Sequence, residues 1–252
     1  MSRLDGRKLL LTRSAEDSAD WAETIAAEGA LPIILPCITA EPSDDPNLVT
    51  SIAGSLEQID WIVFTSRRGV DAFARLRVNP LPASVRFAAV GEATAQSCRE
   101  RFGRVDLVGG ADRDGGGTAA ALGTALATDP SIGAGANCLL ALAANAGDVL
   151  ERKLTEAGAS VTRIDVYRTV PAEPREQKRA LSTLDCDTVI FASPTAVTGF
   201  DNQIDIDIEP QFVTIGPSTS AAVRAHHWDI AAEAKEPTLS GIIESLLETA
   251  HV

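Results

Sequence analysis

Histidine is scarce, cysteine is scattered and long apolar runs are missing, and each shortage narrows what this chain can be. The three histidines all lie beyond residue 225, so no Ser-His-Asp or Cys-His arrangement is visible and nucleophilic hydrolysis is disfavoured. His226 and His227 are adjacent, and neighbours in a regular helix do not face one metal; they read as a cap or surface pair. The four cysteines, Cys37, Cys98, Cys138 and Cys186, form no CxxC pair, which points to isolated thiols in a reducing compartment. No metal centre is expected. The longest apolar run, Cys138 to Ala144, falls far short of the roughly 18 residues of a membrane span. Only Leu9 to Leu11 follow the basic N-terminal residues, too few for the apolar core of a signal peptide. The expected setting is the cytosol, away from membranes. Basic residues are the minority, 22 against 35 acidic, giving a formal net charge of −13. That disfavours nucleic acid and anionic membranes as partners, and leaves room for a small anionic substrate where positive groups gather locally. What is present is an ordinary globular composition: 252 residues, 45% hydrophobic and 23% charged, enough for one large or two small domains with a real core.

The chain repeats itself. Asp60-Trp-Ile-Val-Phe-Thr-Ser66, continuing to Val70 and Phe73, returns as Asp187-Thr-Val-Ile-Phe-Ala-Ser193, continuing to Val197 and Phe200, roughly 127 residues later. Phe87 with Gly91 and Thr94 is echoed by Phe212 with Gly216 and Thr219, Thr118 by Thr238, and Leu10-Leu11 with the turn at Gly29 by Leu139-Leu140 with the turn at Gly158. Four blocks in one order at nearly constant spacing indicate an ancient duplication.

Each block runs from four to six apolar residues through a small or hydroxyl residue into a stretch of helical period, which is a βα unit. Strands are expected near 8–12, 32–36, 61–65, 86–90, 105–108, 138–142, 161–168, 188–192, 211–215 and 229–232, with helices between. The fold class is therefore α/β with mostly parallel sheets flanked by helices. Pro194 and Pro217 suit first helical turns, and Gly29, Gly103 and Gly158 suit helix C-terminal caps. Two Pro-bounded extended segments, Leu35–Pro42 and Val166–Pro171, read as crossings between domains.

In open parallel sheets ligands collect beyond the carboxyl ends of the strands, where helix N-termini offer free N–H groups to anions. Hydroxyls and glycines recur at that edge: Thr12, Thr65-Ser66, Gly91 with Thr94, Thr118, Ser193, Gly216 with Ser218 and Thr219, and Thr238. Each is equally an ordinary N-cap; the set, present in both halves, suggests two donor-rich edges facing each other across a cleft. Arg13, Arg67, Arg68 and Arg168 are the nearby cations or else solvated surface arginines. Tyr167, the single tyrosine, would carry a protonated phenol at neutral pH and can donate a hydrogen bond or a proton, or simply pack in its crossing segment. Gly115-Gly116-Gly117 lacks the spacing and acidic partner of a dinucleotide fingerprint and reads as a loop.

Taken in order, Leu11-Thr12-Arg13, FTSRRGV from Phe64, VGEATA from Val90, VYRT from Val166, FASPTAV from Phe191, IGPSTSAAV from Ile215 and PTLSGI from Pro237 resemble the uroporphyrinogen III synthase family. The resemblance implies two similar α/β domains joined by two extended strands, one domain made of residues 1–37 and 171–252 and the other of 41–166, with linkers near 36–42 and 165–171. It implies a cofactor-free lyase that cyclises hydroxymethylbilane, a linear tetrapyrrole with eight carboxylates, with inversion of ring D. By the same resemblance Tyr167 assists departure of the substrate hydroxyl. Thr12, Arg13, Ser66, Arg67, Gly91, Thr94, Thr118, Arg168, Ser193, Gly216, Ser218, Thr219 and Thr238 are then the candidate substrate-binding positions. The implied partners are hydroxymethylbilane and the deaminase upstream of it, and the expected state is a monomer. One family feature is absent: many bacterial members carry an arginine after the strand that here reads Leu139–Leu142, where this chain continues Ala143-Ala144-Asn145-Ala146-Gly147-Asp148. Arg67, Arg68 and Arg168 are the candidates to supply that charge. The competing reading is a non-catalytic two-lobed protein that closes on an anionic small molecule. A methyltransferase on a similar architecture would need a glycine fingerprint that is not seen.

Overall fold

The computed structural model describes residues 4–43, 45, 47–77, 80–110, 117–133 and 135–249. The chain divides into two compact units, Met1–Thr39 with Val170–Val252, and Ala40–Thr169. The first unit opens with β1 (Lys8–Leu11), α1 (Ala15–Ala27) and β2 (Leu31–Ile34). The chain then passes through β3 (Ile38–Pro42) into the second unit, which holds α2 (Leu48–Ser55), β4 (Trp61–Phe64), α3 (Arg67–Arg75), β5 (Arg86–Ala89), α4 (Glu92–Phe102), β6 (Leu107–Val108), α5 (Ala119–Ala127), β7 (Asn137–Ala143) and α6 (Val149–Glu156). The long strand β8 (Ser160–Pro171) leads back to the first unit and to β9 (Arg179–Ala180), β10 (Thr188–Phe191), α7 (Pro194–Asp201), β11 (Ile204–Asp205), β12 (Gln211–Thr214), α8 (Pro217–Ala225), β13 (Ile230–Glu233) and α9 (Leu239–Thr249).

The first unit is built on a sheet of order β13-β12-β10-β1-β2, with every pairing parallel. The second has the order β3-β8-β7-β4-β5-β6, parallel from β8 through β6. The α/β class with parallel sheets flanked by helices is thus the observed one, and the ten expected strands are all present. Three further strands carried no usable signal. β3 lies in what reads as a plain crossing segment, and β9 and β11 pair over two residues each, too short for a period to show.

The central strands explain the pattern. All four residues of β4 and all four of β10 are buried, as expected for strands covered on both faces. In the second unit Ile62 and Phe64 face a core with Phe73 and Phe87, while Trp61 and Val63 face one with Leu122, Leu126, Leu150 and Leu154. In the first unit Val189 and Phe191 face Phe200 and Phe212, and Ile190 faces Ile25, Ile242 and Leu246. The duplicated aromatics reproduce one another's packing: Phe64 meets Phe73 edge-on at 5.7 Å, and Phe191 meets Phe200 edge-on at 5.3 Å. Fully burying one such ring is worth about 1.5–3 kcal/mol.

Helix ends follow local chemistry. Pro194 and Pro217 sit in first turns. Gly29, Gly103 and Gly158 close their helices at φ of 86°, 78° and 92°, a left-handed conformation that glycine adopts without steric cost. All four thiols are buried and unbridged, and burial pushes Cys37 and Cys98 up to about 12 and Cys138 to about 11, far from a reactive thiolate. Among the described residues no helix is long and apolar enough to cross a membrane, and no cluster of His, Cys, Asp and Glu is arranged to hold a metal ion.

Candidate functional site

The chemistry-bearing residues of the second unit gather at the carboxyl ends of β4, β7 and β8. Strand β4 stops at Phe64, and Ser66, at φ −161° and ψ 154°, caps α3 by accepting the Gly69 N–H at 3.0 Å. Such a cap is worth about 1 kcal/mol. Arg67 and Arg68 occupy the first turn of that helix, adding charge to its positive end.

Tyr167 comes from β8, two strands away in the order β8-β7-β4. Its phenol oxygen lies 2.9 Å from Ser66 Oγ, and the residue is 8% exposed. A bulge makes that reach possible. Leu142 of β7 stands opposite Asp165, but the next residue, Ala143, stands opposite Tyr167, so Val166 is an extra residue in β8. By strict alternation Tyr167 would share the face of Arg163 and Asp165; with the extra residue it joins Ile164 and Val166 in one core. The Tyr167 carbonyl then accepts the Ala144 N–H at 2.8 Å.

On the other face Arg163 grips the turn after β7. Nη2 donates to the carbonyls of Ala143 (3.0 Å) and Ala144 (3.2 Å), Nη1 to the Ala146 carbonyl and Glu151 (3.2 Å each), and Nε to Asp165 (2.8 Å). An arginine therefore does serve this turn, but it comes from β8 and spends its donors on backbone and carboxylates. Its linear distance from Ala143 hid it, since only the β7–β8 register brings the two together.

The remaining second-unit candidates lie at helix starts. Gly91 caps α4 and Thr94 lies 4% exposed in that helix. A Cβ on Gly91 would stand 3.1 Å from the Gly117 nitrogen, so the two backbones approach closely there. Thr118 caps α5 through the Ala121 N–H at 3.1 Å. Gly115 and Gly116 lie outside the described residues. Arg168 is not a free cation: its Nη2 and Nε lie 2.7 and 2.9 Å from Glu41 Oε2, which offsets its charge. Beside it a small cavity of about 200 Å³ is lined by Pro42, Ser43, Ala144, Asp165, Tyr167 and Arg168.

In the first unit Ser193 caps α7 through the Ala196 N–H at 3.2 Å, and Thr238 accepts the Gly241 N–H at 3.0 Å. Gly216 caps α8 with open space where a Cβ would go, Ser218 is exposed and Thr219 buried. An N-cap oxygen that accepts one N–H keeps its own O–H to donate, so capping and ligand binding are compatible at these positions. Thr12 is fully buried and donates to the Ile190 carbonyl at 2.7 Å, so its hydroxyl ties β1 to β10. The Arg13 guanidinium lies 4.2 Å from the centre of the Trp21 ring, a cation–π arrangement.

The uroporphyrinogen-III synthase HemD family profile matches residues 19–244. The chain is 27% identical to the porphyrin biosynthesis protein HemD of Ruminiclostridium josui over 97% of its own length, spanning about half (49%) of that longer relative. It is 23% identical to the uroporphyrinogen-III synthase of Synechococcus elongatus, covering 98% of this chain and 97% of that one. Its fold matches the crystal structure of uroporphyrinogen-III synthetase from Helicobacter pylori with a TM-score of 0.53 at 15% identity, over 96% of this chain and 99% of the other. The duplicated α/β units, the parallel sheets and the family profile agree, and the chain belongs to the uroporphyrinogen-III synthase family.

Proposed function

We propose that the protein is a uroporphyrinogen III synthase, a lyase that removes water from hydroxymethylbilane and closes the ring with ring D inverted. The observation that carries this reading is the Ser66–Tyr167 hydrogen bond at the head of α3. The reaction begins when the hydroxyl of the substrate's hydroxymethyl group leaves as water, to which a donor must supply a proton. Ser66 Oγ already accepts the Gly69 N–H, and its own O–H is available to the phenol oxygen. With the serine donating, the phenol proton of Tyr167 is directed outward to the departing hydroxyl. The phenolate that remains accepts from the Ser66 O–H at the N-terminus of α3, a group fixed before the charge appears, and Arg67 and Arg68 add positive charge to the first turn of that helix.

The azafulvene left on ring A is attacked by the substituted carbon of ring D. The resulting spiro intermediate fragments and recloses inverted, and the proton lost on closure balances the one donated at the start. These later steps need orientation and exclusion of water more than acid–base strength. Ser66, Arg67, Gly91, Thr94, Thr118 and Arg168, with Arg13, Ser193, Gly216, Ser218, Thr219 and Thr238, are candidates for the substrate's carboxylates. Charge-assisted hydrogen bonds to them are worth about 1.5–3 kcal/mol each. Hydroxymethylbilane closes unaided to the unrotated type I ring, so the deaminase that releases it is the proposed partner, with the protein acting as a cytosolic monomer.

The test is to add purified protein to freshly generated hydroxymethylbilane, oxidise the product and separate type I from type III uroporphyrin. A type III excess is expected. Type I alone, at the uncatalysed rate and from folded protein, would leave a tetrapyrrole binder without the activity.

A further inference from the structure

From its bonds on both sides of the β8 bulge we infer that Arg163 is a positioning residue for Tyr167, setting turnover from the opposite face of the sheet. This inference rests on the proposed role of Tyr167. Guanidinium has five N–H donors in a rigid plane. All five are used here: three on the carbonyls of Ala143, Ala144 and Ala146, one on Glu151, one on Asp165. The pattern is a staple rather than an ion pair. It joins the last residues of β7 to β8 at the point where Val166 has no opposite residue on β7. Ala143 is the residue opposite Tyr167, and the Ala144 N–H is bonded to the Tyr167 carbonyl. Asp165 lies on the other flank of the extra residue. Arg163 thereby fixes the backbone on both sides of the bulge without touching the phenol.

The bulge alone gives Tyr167 the correct face, but a two-against-one pairing leaves Val166 without an opposite residue on β7, its carbonyl held only by the Ser43 N–H at 3.0 Å on the other side, and the β7 edge can relax towards regular register. Relaxation by one residue would carry the phenol away from Ser66 and from the helix start. The staple opposes that motion. Glu151, at the start of α6, and Asp165 hold the guanidinium in turn, with side chains 28% and 47% exposed against 24% for Arg163. A lysine has the charge for both carboxylates but lacks the planar fork that reaches three carbonyls.

The single tyrosine provides a direct reporter. With ring-labelled tyrosine the protein gives one set of ring resonances in NMR, all from Tyr167. Arg163→Lys and Arg163→Met are each compared with the parent by that spectrum, by kcat and KM on hydroxymethylbilane, and by urea denaturation. The Tyr167 resonances are expected to shift or split, and kcat to fall about tenfold to a hundredfold with KM changed little, since a misplacement of about 1 Å costs rates of that order. Lysine is expected not to rescue. Should Arg163→Met fail to fold, Arg163→Lys and the milder Asp165→Asn, which removes the charge of one of the two carboxylate acceptors, carry the same readouts.

In a double-mutant cycle with Tyr167→Phe, the Arg163 effect on kcat should nearly vanish, because its target is already gone. Unchanged tyrosine resonances, an unchanged kcat, or an Arg163 effect equally large in the Tyr167→Phe background would each overturn the inference. If instead Tyr167→Phe itself turns over like the parent, the role of Tyr167 fails, and the unaltered single-variant rate identifies that failure as separate.

Discussion

Ser66 and Ser193 occupy the same place in the two units and make the same cap. Their backbones stand at φ −161°, ψ 154° and φ −165°, ψ 157°, and each accepts the N–H three residues on. Both follow a four-residue strand buried on both faces. What differs is the neighbour. Ser66 has the Tyr167 phenol at 2.9 Å, delivered by a bulge and backed by Arg163. The first unit offers no counterpart among its described residues: Leu11 pairs with Ile34 as Leu140 pairs with Arg163, so the position matching Arg163 holds an isoleucine 42% exposed. A duplicated scaffold thus keeps its packing and caps in both copies, while the proposed acid resides in one. The difference lies in the strand leaving the unit, not in the repeated βα blocks.

The largest expected break in that comparison is Tyr167→Phe, which should lower kcat by about 10²–10⁴-fold, the usual contribution of a positioned proton donor, with the fold unchanged by circular dichroism. A second probe acts on the scaffold. A Cβ on Gly199 of α7 would lie 1.7 Å from the Cys37 carbonyl oxygen, whereas on Gly69 of α3 it would lie 2.9 Å from the Ala141 carbonyl oxygen. Gly199→Ala should therefore cost about 3 kcal/mol and Gly69→Ala nearer 1, at the two ends of the usual overpacking range, read as the difference in urea midpoints.

Buried thiols test both units at once. Folded Cys37 and Cys98 hold their protons to about 12 while the unfolded chain releases them near 9.0. Their contribution is therefore complete below pH 9 and is lost as pH rises towards 12. At pH 10 each should already cost about 1.4 kcal/mol of stability. Cys37→Ala and Cys98→Ala should each remove one thiol's share of the alkaline slope between pH 8 and 10. The smallest effect separates the two serines. Ser66→Ala and Ser193→Ala should each lose about 1 kcal/mol of stability, but the first should lower kcat and the second raise KM.

The repeat was legible because burial on both faces of a parallel strand demands unbroken apolar runs such as Trp61–Phe64 and Thr188–Phe191. The caps were legible because hydroxyls at helix starts have few other uses. Tyr167 and Ser66 could be singled out separately, but their contact could not: it depends on an extra residue that only pairing with β7 reveals. Arg163 was illegible for the same reason, and Arg168 looked like a free cation because its partner Glu41 sits on β3, in a segment read as mere crossing. The inward bond of Thr12 was illegible because a hydroxyl at a strand end can turn to a neighbouring strand's carbonyl as readily as outward.

The extra residue at Val166 also sets a length rule for this chain. Up to Asp165 the residues of β8 pair one for one with β7, and beyond the extra residue Tyr167 meets Ala143. One residue gained or lost ahead of the bulge, with the Ser160 pairing kept, would bring Val166 or Arg168 opposite Ala143 in place of Tyr167. An insertion in that stretch must therefore be answered by a deletion of equal length if the phenol is to stay at Ser66.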